Sequence, residues 1–471
     1  MELLYLLRNE IFISGVIILL LILKLADADK KKTRFIKFIN WLLFINLIIS
    51  LLPVAQGELF HGFFRTNYLI GMGKSMLDLG VLLISLFSAR WLGKHADVIA
   101  EFYVLLLSSL LGCFLMLSAG HLLLLYLGIE MSAIPLAALA NFEKTRRRSS
   151  EAGIKFILSS AFSSGLLLYG ISMLYGAYGD LRFTHLQQAI VPDLLTIVGF
   201  SFLMGGLFFK LSAVPFHFWA ADVYEGAPMP VTNFLSVISK GAIVFVFLLV
   251  LVIVFQQIRP EWEAIISIVA ILSMTVGNLF TMRQTNLKRL MAFSSITQVG
   301  FILVGITGYS VLGVDATIYF MLIYMLSNIV CFGVIGAVSD SSRGESLENY
   351  QGFYKTNPFL ALVFSVALFS LAGVPPTSGF FGKLLLLTSS MSYGMYLLVG
   401  VAGVNMVLSL YNYLRIIRRI FFMEPQSDAC RISCYPLMNV TLVLCMVLII
   451  GIGFIPVIYQ YVDYIVKMCI L

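Results

Sequence analysis

The chain has 471 residues, 60% of them hydrophobic and only 12% charged, with a formal net charge of +7. Apolar runs of 18 or more residues recur from end to end, which excludes a water-soluble globular domain. The Lys and Arg excess falls in short segments between those runs, the placement of topology signals, so nucleic-acid binding is excluded as well.

The first apolar run, IFISGVIILLLILKL from Ile11, is followed rather than preceded by positive charge and has no small-residue cleavage site. It reads as a retained first span. Further runs centred near residues 45, 83, 110, 131, 164, 207, 243, 271, 296, 326, 373, 407 and 447 bring the count to about fourteen spans. All should be helices, because a lone strand leaves its backbone unsatisfied in lipid and alternating barrel segments are absent. The odd-numbered loops (KKKTR, EKTRRRSS, MRQTNLKR, RIIRR) hold about twenty Lys and Arg, the even-numbered ones about four, chiefly Arg65, Lys74, Arg182 and Arg259. That asymmetry makes the odd loops cytoplasmic and places both termini outside. The seventh loop, AADVYEGAP, is the exception, with no basic residue.

Six cysteines (Cys113, Cys331, Cys430, Cys434, Cys445, Cys469) are scattered without the spacing of a disulfide framework or cluster site. Cys430 and Cys434 come nearest to a metal pair, but no second pair or histidine accompanies them.

Four ionisable residues stand mid-span, where no orientation rule explains them: Glu130, Lys210, Lys240 and Lys383. A charge at the bilayer centre costs on the order of 3 kcal/mol, so each should face protein or water. Static ion pairs locking helices together are one reading. Proton exchange is the other, since a buried lysine can titrate near neutrality whereas arginine cannot. If Glu130 and Lys210 lie about 7 Å apart, their attraction is roughly 2 to 2.5 kcal/mol at an effective dielectric near 20. Moving one charge through 100 mV takes about 2.3 kcal/mol, a comparable amount.

Prolines accompany two of these lysines. Pro215 follows Lys210, and Pro375 and Pro376 precede Lys383, so spans seven and twelve should be broken, as in transporters. Five spans separate the two breaks, and an odd offset reverses direction, so five-helix blocks around them would form an inverted repeat. The expected organisation is helices 1–3 in residues 1–100, a first repeat in 101–257, an inverted second repeat in 258–422, and a last helix in 423–471. His217, seven residues after Lys210 and on nearly the same helical face, is a candidate for passing a proton toward the loop. Lys155 follows Glu151 at the i, i+4 spacing that stabilises helices and is a weaker candidate.

The stretches YLGIEMSAIPLAALANF, SSEAGIKFILSSAFSSGLLLYGISMLYGAYGDL, FFKLSAVPFHFWAADVYEGAPMPVTNFLSVISK and LAGVPPTSGFFGKLLLL resemble the antiporter-like subunits of the proton-pumping NADH-quinone oxidoreductase, respiratory complex I, the subunit N branch above all. The similarity runs from about residue 100 to 420. Subunits L and M and the multisubunit cation/proton antiporters are similar in plan. The resemblance implies an all-α fold of fourteen transmembrane helices with two inverted repeats. It also implies a proton relay in which Glu130 modulates Lys210, Lys240 bridges toward the second half-channel and Lys383 ends the line; Lys155 falls on a position kept basic.

By the same resemblance the partners are the other membrane-arm subunits, including antiporter-like neighbours, within a bacterial inner membrane. With no dinucleotide fingerprint, cluster cysteines or haem motif, the chain is expected to hold no cofactor; quinone, iron–sulfur and flavin centres belong to partner subunits. An antiporter subunit and a structural membrane scaffold are the alternatives.

Overall fold

The computed structural model describes residues 2–26, 32–308, 310–425, 431–432 and 436–470. Cys430 and Cys434 lie outside them. Among the described residues twelve helices are long and apolar enough to cross a membrane. The first expected span is not one of the twelve, because Arg8–Leu25 carries Arg8, Glu10 and Lys24. Nor is the twelfth, which is split into Pro358–Ala372 and Ser378–Ser392. The protein is a multi-pass membrane protein whose described spans are helical, as the sequence led us to expect.

The chain forms two compact units. The first comprises residues 1–85, 91–211 and 226–264. It begins with α1 (Glu2–Leu6), α2 (Arg8–Leu25) and α3 (Lys32–Leu51), followed by a small hairpin of β1 (Gly57–Leu59) and β2 (Phe64–Thr66). Then come α4 (Tyr68–Phe87), α5 (Ala89–Lys94, which crosses into the unit at Trp91), α6 (Ile99–Leu117) and α7 (Leu122–Ala140). α8 (Arg147–Tyr178), α9 (Phe183–Ala189) and α10 (Leu194–Leu211) follow. After an excursion into the other unit the chain returns as α12 (Met229–Phe234), a π-helical segment Leu235–Ser239, and α13 (Lys240–Leu249).

In its middle turns α8 is polar inside and apolar outside. Ser160, Ser163 and Ser164 are buried while Ile154, Leu158 and Phe162 are exposed, the polarity of a helix that faces lipid with one side and polar neighbours with the other. It packs against α7 and α10, so its serines face the helices that carry Glu130 and Lys210.

The second unit holds residues 86–90, 212–225 and 265–471. It includes α11 (Phe218–Gly226, to Glu225), most of α14 (Arg259–Arg283), the wholly buried α15 (Leu287–Thr307), and α16 (Val311–Val338). α17 (Phe353–Thr356), α18 (Pro358–Ala372), α19 (Ser378–Ser392), α20 (Tyr396–Phe422), α21 (Pro436–Phe454) and α22 (Val457–Ile470) complete it. Where the sequence suggested one C-terminal helix, two are present, because Ile455 and Pro456 interrupt the run and α22 is amphipathic.

Spans seven and twelve are broken at similar words, LSAVP from Leu211 and LAGVP from Leu371. Ser212 (φ 56°) and Gly373 (φ 82°) turn the chain left-handed, each just past a helix end. The N–H groups of Gly373 and Val374 both return to the Phe369 carbonyl at 3.0 Å, closing off α18. At the other break the Val214 N–H donates to Ser273 Oγ at 3.0 Å.

Two loop assignments are corrected. Lys74 is not in a loop: the polar words before it form the hairpin, and α4 carries Lys74 inside the protein. AADVYEGAP is not a loop either. Ala220–Gly226 belongs to α11, the second half of span seven, and its missing basic partner is Arg289 of α15, which binds Asp222 and Glu225 at 2.8 Å each.

Candidate functional site: buried lysines beside broken spans

In the first unit, Lys210 lies in the last turn of α10 and is buried. Its ammonium donates to Ser160 Oγ at 2.8 Å and lies 5.8 Å from the Phe209 ring centre. One turn further along α8, the Ser164 hydroxyl donates to a carboxylate oxygen of Glu130 on α7. Glu130 is half-buried and within electrostatic reach of Lys210. The serine pair therefore lines the interval between acid and base, and Ser163 donates to the Gly206 carbonyl at 3.1 Å, holding α8 against α10. A cation at the C-terminal end of α10 also meets the negative end of the helix dipole.

Lys240 is fully buried and opens α13 directly after the π-helical segment. Such segments shift the phase of a helix and expose a carbonyl from the regular ladder. α10 packs on α13, with Phe208 and Phe247 rings 5.5 Å apart, so Lys210 and Lys240 sit on adjacent helices of one unit.

In the second unit, Lys383 on α19 is also fully buried. It donates to the Leu371 carbonyl at 2.7 Å and the Ala372 carbonyl at 3.2 Å, groups that the break in span twelve leaves without helical donors. Its ammonium stands over the Phe301 ring at 4.6 Å. Gln298 donates to the same Leu371 carbonyl at 3.1 Å and to the Tyr413 hydroxyl at 3.0 Å; Tyr413 in turn meets Ser294.

His217 is placed differently from expectation, whereas Lys155 makes the i, i+4 pair that its spacing suggested. His217 does not share a helical face with Lys210, because α10 ends at Leu211 and His217 lies in the turn before α11, its ring 4.4 Å from that of Phe218. Lys155 is exposed on the outer side of α8 and pairs with Glu151 at 2.6 Å. The sequence reading did not single out Ser160, Ser164, Gln298 or Tyr413. The polar word SSAFSS inside an apolar helix, and a glutamine within SSITQVGF, were the available signals. Among the described residues no group of three or more His, Cys, Asp or Glu is placed to hold a metal ion.

Residues 119–409 match the profile of the NADH:quinone oxidoreductase/Mrp antiporter transmembrane family. The chain belongs to this family. It is 40% identical over 455 residues to NADH-quinone oxidoreductase subunit N of Phocaeicola vulgatus, covering 96% of each chain. It is 40% identical over 457 residues to the subunit N of Azobacteroides pseudotrichonymphae, covering 95% of each. Among solved structures, a chain of Thermus thermophilus respiratory complex I superposes with a TM-score of 0.80 at 28% identity, over 95% of this chain and 97% of that one. A chain of the Mrp complex from Dietzia sp. superposes at 0.85 and 21% identity, over 97% and 96%, which speaks for the fold alone.

Proposed function

We propose that this protein is a proton-translocating membrane-arm subunit of an NADH-quinone oxidoreductase, with Glu130, Lys210, Lys240 and Lys383 as the groups that exchange protons. The observation that carries the assignment to this enzyme rather than to a free-standing antiporter is 40% identity to subunit N across 96% of the chain. The relay is supported by chemistry: the three lysines are buried, can change charge, and hold hydrogen bonds or a helix position that a scaffold would not require.

Approach of Glu130 favours the ammonium of Lys210; loss of that carboxylate, by movement or protonation, favours release. Separation of the pair is the step that energy from quinone reduction in other subunits would drive. Antiporter-like neighbours would carry that energy and share the membrane, a bacterial inner membrane with both termini outside. Redox centres would lie in the partner subunits. Lys155 and His217 would have at most peripheral parts, at the exposed face of α8 and at the turn after α10.

The test is the assembled complex carrying Lys210→Ala or Lys383→Ala in sealed vesicles. The expected result is intact assembly with proton transport per NADH oxidised strongly reduced. Undiminished pumping in both variants removes the relay; loss of assembly with normal pumping in the residual complex assigns the lysines to the scaffold.

A further inference from the structure

A second set of buried ionisable groups lies in the N-terminal helices, outside the residues of the proposed relay. Glu10 of α2, Lys74 and Asp78 of α4 and Asn46 of α3 meet there, with Glu10 6% exposed and Lys74, Asp78 and Asn46 2% each. Lys74 Nζ donates to Glu10 Oε1 at 2.5 Å and stands over the Phe64 and Phe114 rings at 5.2 and 5.8 Å. Asn46 Nδ2 donates to Asp78 Oδ1 at 2.6 Å, and Asp78 is one helical turn from Lys74 and within electrostatic reach of both Lys74 and Glu10.

The charges do not balance: two carboxyls face one ammonium. The hydrogen bonds do not balance either. Glu10 Oε2, Asp78 Oδ2 and Asn46 Oδ1 are buried without a hydrogen-bond partner, and every one of them is an acceptor. Ser50, within hydrogen-bonding reach of Asp78, has a single proton, for which the Leu47 carbonyl at 2.9 Å competes. The site therefore lacks a donor and carries one uncompensated negative charge, and a single bound proton corrects both defects without adding volume.

Among the described residues, the nearby basic groups whose partners are shown are engaged elsewhere. On α2, Arg8 is committed to the Leu52 and Pro53 carbonyls at 2.6 and 2.8 Å, and Lys24 pairs with Glu101 of α6 at 3.3 Å. On α6, Tyr103 is hydrogen-bonded to Ser85 at 2.5 Å and Phe114 is apolar; in the hairpin, Arg65 faces Glu58 at 3.5 Å. Ser75 of α4 donates to the Ser50 and Gly71 carbonyls at 2.8 and 2.9 Å.

We propose that Glu10, Lys74 and Asp78 form a proton-holding site in which the two carboxyls keep one proton between them and Lys74 remains an ammonium. This site is independent of the relay above and stands or falls separately from it.

Infrared difference spectroscopy of the assembled complex in lipid tests it, because a neutral carboxyl absorbs above the amide band and a carboxylate does not. Asp78→Asn and Glu10→Gln each leave one acid facing one base. Both variants are therefore expected to lose one neutral-carboxyl absorption per complex relative to the unsubstituted protein near neutral pH, whichever carboxyl carries the proton. Two nearly isosteric variants on different helices guard against misfolding of either. Persistence of the full absorption in both variants overturns the proposal. So does a sodium-dependent change of the carboxylate bands, abolished in both variants, with no neutral-carboxyl loss, which would assign the site to an alkali cation.

Discussion

Lys383 donates to the Leu371 carbonyl at 2.7 Å across the break in span twelve, so the helix-breaker and the buried ammonium explain each other. An unbroken helix would bond that carbonyl to a backbone N–H four residues on; the break frees it, and the lysine takes the place of the missing donor. The ammonium gains acceptors and a favourable helix end in the protein interior.

Replacing Lys383 separates charge from proton exchange. Lys383→Met removes both, and we expect proton transport in vesicles to fall about a hundredfold, the low side of what a proton-transfer group contributes. Lys383→Arg keeps the charge and the donors but stays protonated at every working pH. It should pump as poorly as the Met variant while assembling better. Normal pumping by Lys383→Arg would rule out titration at this position.

The α8 serines should act through the groups they touch. Ser160→Ala deprives Lys210 of its 2.8 Å acceptor, a hydrogen bond to a charged group worth about 1.5–3 kcal/mol. We expect Ser160→Ala to slow proton transport less than Lys210→Ala does. Adding it to Lys210→Ala should cause no further loss, the non-additivity of residues in one network. Additive losses in this double-mutant cycle would show that Ser160 acts elsewhere, through packing of α8.

Glu143, in the segment between α7 and α8, gives a pH-dependent contact outside the spans. Burial pushes its carboxyl up, but hydrogen bonds from Trp91 at 2.8 Å and Arg146, with the Arg146 and His95 charges, outweigh burial and hold it below the usual carboxylate range. A depressed acid stabilises the folded form above its unfolded pKa, and that contribution is lost as pH falls through the folded value. Hydrogen-exchange protection of this segment, taken relative to the intrinsic rate at each pH, should therefore be unchanged from neutrality down to the ordinary carboxylate range and fall only below it. Glu143→Gln should remove that acid-induced step.

Much of the fold was legible because lipid leaves the chain few choices: long apolar runs must be helices, and Pro215, Pro375 and Pro376 mark the breaks. Lys210, Lys240 and Lys383 were legible for the same reason, since a charge stands out in an apolar run. What failed were inferences that carried helical periodicity past a break, as for His217, or that assigned charges near a run's end to loops, as for Lys74. The pairing of Glu10 with Lys74 escaped notice because it spans 64 residues and neither is central in its run. The serines escaped because Ser and Thr in a membrane helix usually bond their own backbone, and only the packing of α8 shows which do not.

Glycines around the second break should be sharply unequal. Gly373 has φ 82°, and a β-carbon there would lie 3.0 Å from Lys383 Cδ, so Gly373→Ala combines left-handed strain of about 1–2 kcal/mol with pressure on the lysine. At Gly379 a β-carbon would overlap the Ser370 carbonyl oxygen, a backbone atom that cannot turn aside. Gly403, on α20, has open space around it, and Ala there should be neutral or gain up to about 1 kcal/mol of helix propensity. The expected order of thermal inactivation of the assembled complex is therefore Gly379→Ala first, Gly373→Ala next, and Gly403→Ala no earlier than the unsubstituted protein. Gly373→Ala should also pump less per NADH than its stability loss explains, because the displaced Lys383 loses its hold on the Leu371 carbonyl. If Gly373→Ala lowered stability yet pumped normally, the 2.7 Å contact would be a structural brace and not part of proton transfer.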